Sequence, residues 1–160
     1  MWSVVHVPTE AAEDRRQAHR ELLTLKRDRA RATNRIKGLL ANQGVAVEVT
    51  GDFLGQLDQV RVWDGRPLSA GLRGRLEREW AKVALLTGQI QMLEAQRQEA
   101  LQTAADPVVE QVRQLLRLRG IGTNSAWLYV MEFFGWRAFR NRREVGALAG
   151  LTPTPYQSGA

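Results

Sequence analysis

Leu115-Leu116-Arg117-Leu118-Arg119-Gly120-Ile121-Gly122-Thr123 is the stretch on which the fold of the C-terminal third turns. Its leucines close an amphipathic helix that opens at Asp106-Pro107, with Asp as the cap, Pro at the first helical position and Glu110 as a first-turn carboxylate suited to the dipole. Gly120 stops that helix. Thr123 or Asn124 is expected to cap the next one, whose apolar face is Ala126, Trp127, Val130, Met131 and Phe134 and whose end is Gly135. Asn141-Arg142-Arg143-Glu144 has capping-box spacing and predicts a short helix through Val145, Leu148 and Ala149 to Gly150. Residues 106–160 therefore read as a small set of three helices around one glycine turn.

Upstream the pattern lengthens. Ser69 is placed to cap a helix reaching about Ala104, with a heptad seam of Leu72, Leu76, Val83, Leu86, Ile90 and Leu93 and Trp80 alongside. A first long helix is predicted from Thr9 to about Asn42. Its seam takes Ala11, Ala18, Leu25, Ala32 and Leu39 at one heptad position and Arg15, Leu22, Arg29 and Ile36 at the other. Glycines and prolines between Gly44 and Pro67 predict an elbow with a short helix near Asp52 to Gln59. The chain thus reads as all-α: a coiled-coil hairpin over residues 9–105, then a helical domain over 106–160. Trp2 to Val7, stopped by Pro8, has the pattern of a short strand. The hairpin seams are narrow, so a second protomer is expected to complete their burial, giving a homo-oligomer.

The formal net charge of +6, carried mainly by Arg, points to an anionic partner, with nucleic acid first. There is no cysteine, which excludes disulfides and thiolate metal sites, and the two histidines do not make a zinc site. No apolar run approaches the roughly 18 residues of a membrane span, so a cytoplasmic protein with no membrane partner is expected.

Four features carry candidate chemistry. In the turn, Gly120 and Gly122 let backbone approach a phosphate, Arg117 and Arg119 flank it, and Thr123 opens the following helix, as in helix-hairpin-helix modules; a ligand-free turn is the alternative. Arg137, Arg140, Arg142 and Arg143, interleaved with Trp136 and Phe139, suit a nucleic-acid backbone with aromatic stacking, or else surround two core aromatics. On the first helix Arg16, Arg20, Lys26, Arg27, Arg31, Arg35 and Lys37 form a basic face, either solvated or set against phosphates. The tail Gly150-Leu151-Thr152-Pro153-Thr154-Pro155-Tyr156-Gln157-Ser158-Gly159 offers hydroxyls on a stiffened segment, and its residue pattern alone does not choose among Thr152, Tyr156 and Ser158 or identify a base.

Asn34-Arg35-Ile36-Lys37-Gly38-Leu39-Leu40, Leu118 to Ala126 with Glu132, Phe139-Arg140-Asn141-Arg142-Arg143-Glu144-Val145 and Gly150 to Gly159 together resemble the bridge-RNA-guided insertion-sequence transposases, the "one-hundred-and-ten" family of serine-type recombinases. The order and spacing agree over nearly all of the chain. The resemblance implies DNA and a structured guide RNA as partners and Ser158 as a catalytic nucleophile. It also implies Mg2+ for the full-length family, held by four acids of an RuvC-like domain expected before Met1. Residues 1–8 would be the end of that domain, no metal ligand or cofactor is assigned to this chain, and the chain is expected to be a fragment inactive by itself. A non-enzymatic nucleic-acid-binding or oligomerisation module derived from a transposase is the competing reading.

Overall fold

The computed structural model describes residues 7–151. Six α-helices follow in order: α1 (Glu10–Ala41), α2 (Phe53–Leu57), α3 (Ala70–Thr103), α4 (Pro107–Leu116), α5 (Thr123–Tyr129) and α6 (Arg142–Leu148). A π-helical turn, Val130–Phe134, continues directly from α5. Among the described residues the protein is all-α, with no strand and one isolated bridge between Arg61 and Pro67. The strand expected at Trp2 to Val7 lies outside them except for exposed Val7. No helix of the described residues is long and apolar enough to cross a membrane.

The chain divides into two compact units, Arg20–Glu99 and, among the described residues, 7–19 with 100–151. The first turns of α1 and the last of α3 therefore group with the C-terminal helices.

The unit Arg20–Glu99 is a helical hairpin. Arg35 pairs with Glu79 at 3.0 Å and Lys26 with Glu94 at 2.6 Å, so rising numbers on α1 meet falling numbers on α3 and the helices run antiparallel. The core joins Ala32, Ile36, Leu40, Phe53, Leu57, Leu76 and Val83, with Leu72 and Trp80 packed at its edge. Phe53 brings the elbow onto α3, its ring centroid 5.3 Å from that of Trp80. On α3 the expected seam is the buried one, and it contains a charge: Glu79 occupies the heptad position between Leu76 and Val83 and is buried. Its carboxylate accepts from Lys82 Nζ at 2.8 Å and Arg35 Nε at 3.0 Å. Lys82 first, then Arg35, hold its pKa below the usual glutamate value, against an opposing contribution from burial.

The seam on α1 departs from expectation. Ala11 and Ala18 are exposed, while Ala12 and His19 are buried together with Leu22, Ala32, Ile36 and Leu40. Alanine marks a helix face weakly because a methyl group carries only about 0.8 kcal/mol of transfer free energy. Leu22 and Ile36 fix the phase, and the other row of the seam sits one residue later than expected: Ala12, His19 and Leu40 are multiples of seven residues apart and lie three or four residues from Leu22 and Ile36, with Ala32 beside them.

Local chemistry sets the ends of these elements. Thr9 Oγ1 accepts from Ala12 N and Ser69 Oγ from Leu72 N, each at 3.3 Å, as capping residues do. At the end of α1, Gly44 has φ +71°; Val45 N donates to Leu40 O and Gly44 N to Ala41 O, the paired bonds of a Schellman stop. Gly44 also lies under Trp63, whose Cβ would stand 3.1 Å from any Cβ added there.

Candidate nucleic-acid interface

In the C-terminal unit, Val109, Val112, Ala126, Trp127, Val130 and Met131 form the core, with Leu101, Ala104, Leu115 and Ile121 against it. Asp106 caps α4 as the sequence predicts: its Oδ1 accepts from Val108 N at 2.7 Å and its Oδ2 from Arg15 at 3.2 Å. The end of α3 is closed from a distance. Arg113 on α4 donates to the carbonyls of Leu101 (2.9 Å), Ala104 (2.8 Å) and Ala100 (3.3 Å), covering oxygens that a helix end leaves unpaired. Glu110 holds the same guanidinium at 2.9 Å.

Between α4 and α5 the chain turns at Gly120, φ +92°, a left-handed conformation that disfavours a side chain. Ile121 tucks into the core, and its neighbours face solvent: Arg117, Arg119, Gly120, Gly122 and Thr123 are all exposed. Nothing lies within 4 Å of where a Cβ would be at Gly120 or Gly122, so backbone there is open to an approaching group. Gly122, in extended conformation, is the residue that caps α5, in place of the expected Thr123 or Asn124, and no side chain accepts from the α5 start. The correction has a simple cause. Extended backbone at Gly122 already turns the chain into the helix, so Thr123 lies inside it.

The second group of arginines is split. Asn141 caps α6 through Arg143 N (2.9 Å) and Glu144 N (3.2 Å), and Glu144 reaches back to Arg140 N at 2.9 Å. This holds Arg140, Arg142 and Arg143 on an exposed helix start, with no carboxylate partner for their guanidinium groups among the described residues. Arg137 is different: its guanidinium lies 4.1 Å from the centroid of Trp136 and its Nε is buried. Trp136 is half-buried, its Nε1 donating to Met131 O at 3.0 Å, so the indole is engaged with protein. Phe139 meets Phe134 edge to face at 5.9 Å.

Arg16 corrects the reading of the basic face. It is 11% exposed, paired with Glu13 and with Glu132 at 3.3 Å, and its guanidinium stands 4.5 Å from the Trp136 centroid. Its partner Glu132 lies 116 residues away, so no local sequence signal separates it from the solvated arginines. Elsewhere on that face Lys26, Arg31 and Arg35 are held by Glu94, Asp28 and Glu79. No group of three or more His, Asp or Glu among the described residues is placed to hold a metal ion. Ser158, with Thr152 and Tyr156, lies outside the described residues.

Two comparisons with known proteins fit this arrangement. Residues 112–160, beginning in α4 and including the glycine turn and both groups of arginines, match the transposase family described as Transposase IS116/IS110/IS902 family. The chain is also 41% identical over 167 residues to the protein named "Putative transposase y4rJ" of Sinorhizobium fredii, a match that takes in 99% of this chain and 42% of that one. The chain thus spans less than half the length of this relative. No solved structure matches it.

Proposed function

We propose that the chain serves DNA transposition in the cytoplasm as part of an insertion-sequence transposase, gripping the backbones of DNA and of a structured guide RNA through the turn at 117–123 and the arginines of 137–143. The observation that supports this most is the glycine turn, where exposed Arg117 and Arg119 flank backbone that no side chain covers. Forked guanidinium groups suit phosphate oxygens, and such contacts position a duplex without reading its bases. In this reading Ser158 is the nucleophile. Its oxygen bonds to a DNA phosphorus, the phosphodiester is kept as a serine–phosphate bond, and the deoxyribose hydroxyl that leaves carries the proton that the serine loses. Mg2+ has no ligand set among the described residues and enters no step derived for this chain.

Two measurements test the reading. Binding to a DNA duplex and to a structured RNA is followed over a salt series for the wild type and for Arg117→Ala/Arg119→Ala. The expected result is a log–log salt slope shallower by about 1.8, two phosphate contacts at about 0.9 each on DNA. A wild-type chain that binds no more tightly than to a neutral polymer at low salt overturns it. For the serine, the chain is mixed with DNA, Mg2+ and the y4rJ protein. A covalent DNA adduct on this chain that is lost in Ser158→Ala is expected, and an adduct that survives the substitution rules Ser158 out.

A further inference from the structure

Between α1 and α2 the stretch Val45-Ala46-Val47-Glu48-Val49-Thr50 belongs to no helix, and its exposure alternates residue by residue. Val45, Val47 and Val49 are half-buried against the hairpin core, while Ala46, Glu48 and Thr50 are exposed. A period of two is that of extended chain with one face packed. The stretch is tied at both ends, by Val45 N donating to Leu40 O and Phe53 N to Thr50 O, each at 3.1 Å. Between those ties the backbone is unused. Among the described residues the N–H groups of Ala46, Val47, Glu48 and Val49 donate to nothing, and the carbonyls of Val45, Ala46 and Val47 accept nothing. An open groove of about 370 Å³ runs along the same stretch, lined by Leu40, Ala41 and the residues from Val45 to Glu48, with Lys37 at its rim. Neither Lys37 nor Glu48 makes an ion pair among the described residues.

We infer that this stretch is a strand edge to which an extended segment of a different polypeptide adds, pairing its backbone with Ala46 and Glu48. In extended chain the N–H and C=O of alternate residues point to one side, so these two residues share an edge, while Val45 N is already held by Leu40. A row of donors and acceptors at strand spacing is matched by another peptide backbone, and side chains at alternate positions then set the specificity. The groove takes apolar ones. Its two charges ask for a cation opposite Glu48 and a carboxylate beside Lys37, as opposite charges do across paired strands. A nucleic-acid backbone would find one lysine and a facing glutamate. A second copy of the stretch carries glutamate and no cation, so it leaves Glu48 unmatched in any register. Because the valines and both ties hold the edge in place, little ordering opposes the pairing. The inference stands apart from nucleic-acid binding and from Ser158.

The probe is a blocked peptide of about seven residues, a short strand's length, that alternates valine and threonine, with lysine placed to face Glu48 and glutamate at the end beside Lys37. Titrated into the full chain, it is expected to slow amide hydrogen exchange at Ala46 and Glu48 several-fold and at Val47 much less. Ala46→Pro/Glu48→Pro removes two N–H groups that donate to nothing in the free chain, so circular dichroism and the urea midpoint should stay unchanged. Its affinity for the peptide should fall about thirtyfold, for two lost hydrogen bonds. On the wild-type chain, the same peptide N-methylated at its pairing amides should lose binding equally. Glu48→Lys should weaken binding several-fold, and a peptide with glutamate in place of the facing lysine should restore it. Unchanged exchange at Ala46 and Glu48 with the probe overturns the inference, as does undiminished binding of the N-methylated peptide. Slowing that rises with the concentration of the chain alone gives the edge to a second copy and overturns it as well.

Discussion

The hairpin and the C-terminal unit are both helical and both rich in arginine, yet the exposed arginines grouped around a glycine turn and a helix start belong to the C-terminal unit. In the hairpin, cations are matched to carboxylates: Arg31 to Asp28, Arg35 and Lys82 to Glu79, Arg73 to Asp58 and Glu77, and Arg66 to Asp64. In the C-terminal unit, Arg15, Arg16 and Arg113 also meet carboxylates and Arg137 lies against an indole ring, while Arg117, Arg119, Arg140, Arg142 and Arg143 stand exposed without a carboxylate among the described residues. Net positive charge by itself does not locate an anion-binding surface. Where the pairing stops is the better guide, because an arginine already held by a carboxylate must give up that partner before it takes a phosphate.

That contrast breaks in graded ways. The largest effect is expected in the hairpin core: Phe53→Ala removes a fully buried ring against Trp80 and should cost about 4 kcal/mol, read from the urea midpoint. If the loss is below about 1 kcal/mol, the elbow is not held by that ring. Next comes Arg113→Ala, which strips three carbonyls of their donor and should cost about 2–3 kcal/mol. Arg113→Lys should recover only part of it, since one ammonium cannot reproduce a planar fork.

Smaller still is the pH response of Glu79. Its folded pKa is lowered, so the stability it adds is fully present above the ordinary glutamate value of 4.5 and is lost as pH falls through the depressed folded value. The urea midpoint of the wild type should fall over that acid range more steeply than that of Glu79→Gln, and equal slopes would show that the carboxylate adds nothing. Smallest for stability is Arg117→Ala/Arg119→Ala, expected within about 0.5 kcal/mol of wild type because both side chains are exposed. Its effect belongs to the salt slope for nucleic acid, where Arg31→Ala, from the paired set, should leave the slope within error. Equal effects from the two would remove the distinction between the units.

Much of the fold was legible from side-chain spacing. The inner seam of α3, the caps at Thr9, Ser69, Asp106 and Asn141, and the stops at Gly44 and Gly120 each follow from a few neighbouring residues whose local chemistry points one way. What stayed hidden depended on partners far along the chain or on small side chains. Glu79 reads as surface until Arg35 is placed 44 residues away, Arg16 reads as solvated until Glu132 is, and the alanines of α1 do not fix the phase of its seam. The exposed turn at 117–123 was visible as glycine and arginine, whereas the engagement of Trp136 with Met131 was not, because the sequence gives no sign of the π turn that brings them together.

That turn has a consequence for the direction in which the chain leaves it. Gly135 N closes onto Val130 O at 2.7 Å, a ring one residue wider than an α-helical bond, and there is no room beside it: a Cβ on Gly135 would stand 2.8 Å from that same oxygen. One extra residue in the loop of a helix is about 100° of phase. The Arg137 to Arg143 segment is therefore aimed by an offset that shortening Val130–Phe134 by one residue would undo. A single-codon deletion there would act as a rotation of the arginines, with their composition unchanged.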